Sequence, residues 1–119
     1  MNKKNNILII KHGSFGDLIR AGIIISAIKK FHKDSNLILL TSDIYSSLIK
    51  KNPDIKDVVI DNRESFFNIT YLMELRKKLL AYKFKLIYDL QNSQRTFLYK
   101  KFLRLVFRLL NVETFVVLF

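Results

Sequence analysis

Cysteine is absent from the 119 residues, which excludes a disulfide framework and any thiolate metal site, as is usual in the cytosol. Histidine occurs only as His12 and His32, poor material for a zinc centre. No apolar run reaches membrane length. Met1 to Asn6 is polar, and the run after it is cut by Lys11 and His12 before it attains the length of a signal-peptide core. Ala21 to Ile28 is too short to cross a bilayer, and Arg108 and Glu113 interrupt the apolar C-terminus. Neither G-x-G-x-x-G nor G-x-x-x-x-G-K-[ST] occurs, so both standard nucleotide fingerprints are missing. There is no flexible linker, repeat or low-complexity tract.

What remains describes one folded domain. Half of the residues are apolar, which argues against disorder, and the length suffices for a core but is small for an enzyme that must hold two substrates. Lys and Arg number 21 against 10 Asp and Glu, a formal net charge of +11, whose positive potential suits nucleic acid, anionic lipid or a phosphorylated sugar.

Short apolar, β-branched runs at Ile7–Ile10, Leu37–Thr41, Val58–Ile60 and Leu86–Leu90 predict buried strands. Between them, helical periodicity is carried by Ala21, Ile24, Ile25 and Ile28, then by Tyr45, Leu48 and Ile49, then by Leu72, Leu75, Leu79 and Tyr82. Asn52-Pro53-Asp54 closes the second helix, because proline cannot continue it. This alternation predicts right-handed βαβ crossovers, hence an α/β domain with a parallel sheet and helices on both faces. The loops after the strands, Lys11–Asp17, Thr41–Asp43, Asp61–Glu64 and Asp89–Arg95, then gather on one edge, where open parallel sheets bind ligands. From Phe97 onward, Leu98, Phe102, Leu105, Val106 and Leu109 share one helical face and Lys100, Lys101, Arg104 and Arg108 another. Val112–Phe119 reads as a strand with no turn after it, which suggests a truncated chain or one whose partner half is encoded elsewhere.

The segment Lys11-His12-Gly13-Ser14-Phe15-Gly16-Asp17 places a carboxylate where the first strand hands over to a helix. Its glycines permit close backbone approach, and the free N–H groups of the following helix suit an anion. Two roles stand open for Asp17 on these residues alone: a helix cap, or a group that does chemistry at the sheet edge. Lys11, His12, Arg20 and Arg63 lie at or near that edge and can hold phosphate or carboxylate, Arg bidentately. A plain surface role fits Arg63 as well, and His12 can be a loop residue without a role.

The run Lys11 to Arg20, K-H-G-S-F-G-D-L-I-R, resembles the N-terminal signature of the family 9 glycosyltransferases, which include the lipopolysaccharide heptosyltransferases. Tyr88-Asp89-Leu90-Gln91, followed by Asn92-Ser93-Gln94-Arg95-Thr96, resembles the Asp-Leu-Gln strand end of the same family. Asn52 to Val58 resembles its connection into the third strand, so the likeness covers roughly Ile7 to Arg104. The chain departs from the family at Ile23 and Ile24, where a proline is usual, and after Leu109.

The resemblance implies the Rossmann-like N-terminal half of a GT-B enzyme: residues 1–119 as the acceptor-binding domain, with the C-terminal, donor-binding domain absent. It further implies metal-independent, inverting transfer from a nucleotide-sugar donor, with that donor as substrate and no cofactor. The acceptor is an anionic lipid-linked saccharide of the lipopolysaccharide core or another envelope polymer. On this reading Asp17 is the general base that deprotonates the acceptor hydroxyl. The helix terminus favours its ionised form, so it depends on exact placement rather than a raised pKa. Lys11, Gly13, Ser14, Gly16, Arg20, Arg63, Gln91, Ser93 and Arg95 are the expected substrate-binding residues, although Ser93 also suits a helix cap. The protein is expected in the cytoplasm, and the basic helix from Phe97 can rest on the inner face of the membrane or simply turn its apolar side to the core. The rival expectation is a non-catalytic basic α/β module that binds nucleic acid or anionic membrane by charge. Against nucleic acid stands the lack of any reader motif.

Overall fold

The computed structural model describes residues 5–12, 15–62, 64–65, 67–90 and 114–117, with side chains described for all of these except 15–18 and 114–117. Strand β1 (Asn6–Ile10) leads into helix α1 (Phe15–Phe31), β2 (Asn36–Thr41), α2 (Asp43–Ile49), β3 (Asp57–Ile60), α3 (Ile69–Ala81), β4 (Phe84–Asp89) and β5 (Thr114–Val117). The strands form one sheet in the order β3-β2-β1-β4-β5, and every pairing is parallel. The domain is an α/β, Rossmann-like sheet with helices on both faces, as the sequence pattern predicts.

The period-2 alternation of the strands sorts their side chains between two cores. Leu8, Ile10, Ile38, Leu40, Val59 and Ile87 point to one face, where α3 covers them with Leu75 and Leu79. Ile7, Ile9, Leu37 and Leu39 point to the other, against Ala21, Ile25 and Ile28 of α1 and Ile49 of α2. β1 and β2 are covered on both sides, which is why they read as unbroken apolar runs rather than alternating ones. The placement follows from the handedness of the crossovers. The chain steps outward from β1 to β2 and β3 with α1 and α2 on one face, then travels back past β1 to β4 with α3 on the opposite face.

Several details differ from the sequence reading. Helix α1 begins at Phe15, two residues before Asp17, so Asp17 lies third in the helix and not at its cap position. Leu48 is half exposed, because α2 has only two turns and sends Ser46 and Ile49 inward instead. On α3 it is Tyr71, not Leu72, that packs on the core. β4 begins at Phe84, earlier than the Leu86–Leu90 run, because the chain reaches the sheet through Lys83, held in the left-handed region at φ 53°. The expected C-terminal strand is present as β5, beside β4. The expected helix from Phe97 lies outside the described residues.

Candidate functional site

Because all the strands are parallel, their C-terminal ends share one edge, and the strand order reverses between β1 and β4. Ile10 and Asp89 are Cα partners there. The Leu90 N–H donates to the Ile10 carbonyl at 3.0 Å, so the ladder continues into the loop. Likewise, the Lys11 N–H bonds the Leu40 carbonyl at 3.0 Å and the Asp61 N–H the Thr41 carbonyl at 2.8 Å. The two segments with the sequence motifs, Lys11–Asp17 and Asp89–Arg95, thus leave adjacent strands at the topological switch point. In open α/β sheets this crevice is where ligands bind.

On the α3 face of that edge, polar side chains replace the apolar ones below them. His12, Ser42, Asp61 and Asp89 follow the last strand residues of β1, β2 and β3 or end β4, and all four are buried. The imidazole Nε2–H of His12 donates to Asp61 Oδ2 at 2.7 Å. A carboxylate only accepts, so this nitrogen carries the proton. Tyr71, in the first turn of α3, donates its hydroxyl to Asp61 Oδ1, and its own N–H is capped by the Asn68 side chain at 3.1 Å. Ser42 Oγ donates to the carbonyl of His12 at 3.0 Å. Asp61 therefore ties the end of β1 to the start of α3, and Ser42 ties it to the end of β2. On the opposite face Thr41 Oγ1 is buried without a hydrogen-bond partner among the described residues.

The expected site residues fall unevenly on this frame. Lys11 is half-buried beside the end of β2, and Arg20 is exposed in the second turn of α1. Gly16 and Asp17 lie in the first turn of α1, whose N-terminal end rises from the same edge. Gly13, Ser14, Arg63, Gln91, Ser93 and Arg95 lie outside the described residues. His12 is not an idle loop residue, because its ring is only 1% exposed and is spent on Asp61. Asp61 and Tyr71 were not singled out by the sequence reading. A lone Asp directly after a strand was the available signal for the first, whereas nothing local distinguishes Tyr71. Among the described residues, no group of His, Asp and Glu could hold a metal ion, and no helix is long and apolar enough to cross a membrane. A cavity of about 590 Å³ on the outer flank of α3, lined by Ile69, Met73, Arg76 and Leu80 among others, includes none of the expected site residues.

Away from this edge, Tyr82 donates its hydroxyl to Asp57. Burial first, and then the hydrogen bond to that carboxylate and its charge, push the phenol up to about 12. Burial also raises Tyr88 and lowers His32, whose Nε2 lies 2.8 Å from the Tyr88 hydroxyl.

No family model matches the chain, and no curated protein sequence is similar to it. Among solved structures, the glycosyl transferase family 9 protein from Veillonella parvula superposes with a TM-score of 0.68 at 19% sequence identity. The chain resembles a family 9 glycosyltransferase in fold. The match covers 81% of this chain but only 29% of the Veillonella protein, so the chain spans less than a third of that neighbour's length.

Proposed function

We propose that the chain is the N-terminal, acceptor-binding part of a family 9-like glycosyltransferase that works in cell-envelope polysaccharide assembly. One observation carries the reading: the two segments that resemble the family's motifs, far apart in sequence, leave Cα-paired residues of β1 and β4 at the switch point. The similarity in fold to a family 9 structure supports it. On this reading the donor is a nucleotide-sugar held mainly by a second domain, and the acceptor is an anionic lipid-linked saccharide.

Asp17 is the proposed general base. An acceptor hydroxyl attacking the anomeric carbon must lose its proton to a base, and residue 17 lies in the first turn of α1, the helix that follows the strand end where ligands gather in such sheets. Such a base contributes about 10²–10⁴-fold to the rate. Lys11 and Arg20 are proposed to attract the phosphates of the acceptor by charge; Arg63, Gln91, Ser93 and Arg95 are proposed as further substrate-binding residues on the strength of the sequence resemblance alone. Inversion follows if the hydroxyl attacks on the face opposite the departing nucleotide. The proposed setting is the cytoplasmic face of the inner membrane, toward which a net charge of +11 draws the protein.

The full gene product, incubated with a panel of nucleotide-sugars and an envelope lipid extract, should release nucleoside diphosphate with one donor and only when acceptor is present. The charge of +11 keeps a second reading in view, the non-catalytic polyanion binder. No release with any donor, together with polyanion binding that collapses as salt rises and ignores changes in the Gly13–Asp17 loop, would establish that rival.

A further inference from the structure

Residue 12 is restrained from three sides. Its ring is held by Asp61 at 2.7 Å, its carbonyl by Ser42 Oγ at 3.0 Å, and the preceding Lys11 N–H by the Leu40 carbonyl at 3.0 Å. Helix α1 begins at Phe15, so only Gly13 and Ser14 separate this fixed point from a helix whose third residue is Asp17. With so short a connection, the position of residue 12 limits where the helix can start.

Two features argue that these contacts serve position rather than stability. Burying a His–Asp pair costs desolvation that well-packed apolar side chains of similar volume would avoid, yet the pair sits at 1% and 0% exposure. The second feature is Ser42, which occupies the N-cap position of α2 but makes no capping bond to that helix. An N-cap serine normally stabilises its helix by about 1 kcal/mol. Here its hydroxyl turns instead to the backbone of His12. Asp61 is itself oriented by Tyr71 from the first turn of α3, so the clamp draws on β1, β2, β3 and α3 together.

We propose that His12, clamped by Asp61 and Ser42, is the positioning residue that fixes where the chain leaves β1 for α1, and with it the place of the helical turn that carries Asp17. The inference rests on the transferase reading for its catalytic consequence, but the anchoring itself does not depend on it. His12 touches no reacting atom. Its contribution is the geometry of a base that has only a short distance over which to act, and a displacement of about 1 Å can cost 10²-fold in rate.

The test compares His12→Phe, which keeps a flat ring but removes the donor, with His12→Gln, whose amide can replace the Nε2–H. Both are made in the full gene product. Hydrogen exchange of the peptide covering residues 13–17 is measured together with kcat and donor KM. His12→Phe is expected to speed exchange in that peptide and to lower kcat by up to roughly 10²-fold, the cost of misplacing a reacting group by about 1 Å. Donor KM stays unchanged, and His12→Gln restores most of both losses. Ser42→Ala leaves the buried pair intact, and it should quicken the same exchange even if His12→Phe fails to fold. Unchanged exchange in Ser42→Ala and in any folded His12 variant would overturn the proposal, as would kcat per folded molecule equal to wild type. Wild-type protein inactive with every donor would instead remove the transferase reading, and the exchange measurements would still decide the anchoring.

Discussion

Replacing His12 by Leu leaves the Asp61 carboxylate at 0% exposure with Tyr71 as its remaining donor among the contacts described above. Removing one member of a buried pair typically costs about 3–5 kcal/mol, because the buried carboxylate keeps its desolvation cost and loses a close donor. The reverse change, Asp61→Leu, takes from the His12 imidazole and the Tyr71 hydroxyl the acceptor described above, at roughly 1–3 kcal/mol for each buried hydrogen bond lost. With both replaced, the desolvation cost of both groups disappears and apolar contact takes its place. The double variant should thus be more stable than His12→Leu alone and far from the sum of the two singles. A chain of this length has roughly 6–18 kcal/mol to lose in all, at 0.05–0.15 kcal/mol per residue. Urea denaturation of wild type, both singles and the double, closed as a mutant cycle, measures the coupling. Additive losses below about 1 kcal/mol each would refute the reasoning, since that is how a solvated surface pair behaves.

Three further outcomes follow from the same structure. Lys83 sits just past the C-cap of α3 with φ 53°, where glycine is the usual residue, so Lys83→Gly should raise stability by up to about 1 kcal/mol, and a lower melting temperature would contradict this. Tyr82, raised to about 12, should give an ultraviolet titration step well above the ordinary value of 10.0, and that step should be missing in Tyr82→Phe. Its folded pKa exceeds the ordinary value of 10.0, so its stabilisation is complete below pH 10 and fades as pH rises toward 12. Ile9, fully buried in the central strand, should cost about 2–5 kcal/mol when changed to Ala, measured by the same denaturation. A loss below 1 kcal/mol would mean that the central core is not closed.

Much of the fold is legible in sequence because the signals are local. Ile7–Ile10 and Leu37–Thr41 are too short for helices and too apolar for edge strands, and they take interior positions, β1 at the centre of the sheet and β2 beside it, with both faces covered. The third strand is weaker, only Asp57–Ile60, yet its bounding Asp residues mark it. Errors arise where tertiary context decides. The Leu86–Leu90 pattern gives no sign that Phe84 already belongs to the sheet, since the entry depends on the left-handed turn at Lys83. Leu72 and Tyr71 both fit a helical stripe, and only the hydroxyl's reach to Asp61 selects Tyr71.

The site was legible in part for the same reason. Gly13–Asp17 and Asp89–Gln91 stand out as motifs, but a pair 49 residues apart, His12 with Asp61, leaves no mark on local spacing. A buried histidine looks in sequence like any loop histidine. Its role emerges only when β1 and β3, which flank β2, bring their ends onto one face.

The central claim is that the carboxylate of Asp17 does chemistry at the end of β1. Its most direct test is the turnover of Asp17→Asn in the full gene product, with donor binding measured in parallel. The account predicts kcat about 10²–10⁴-fold lower, with donor affinity unchanged and the fold intact. Turnover near that of the wild type would contradict it.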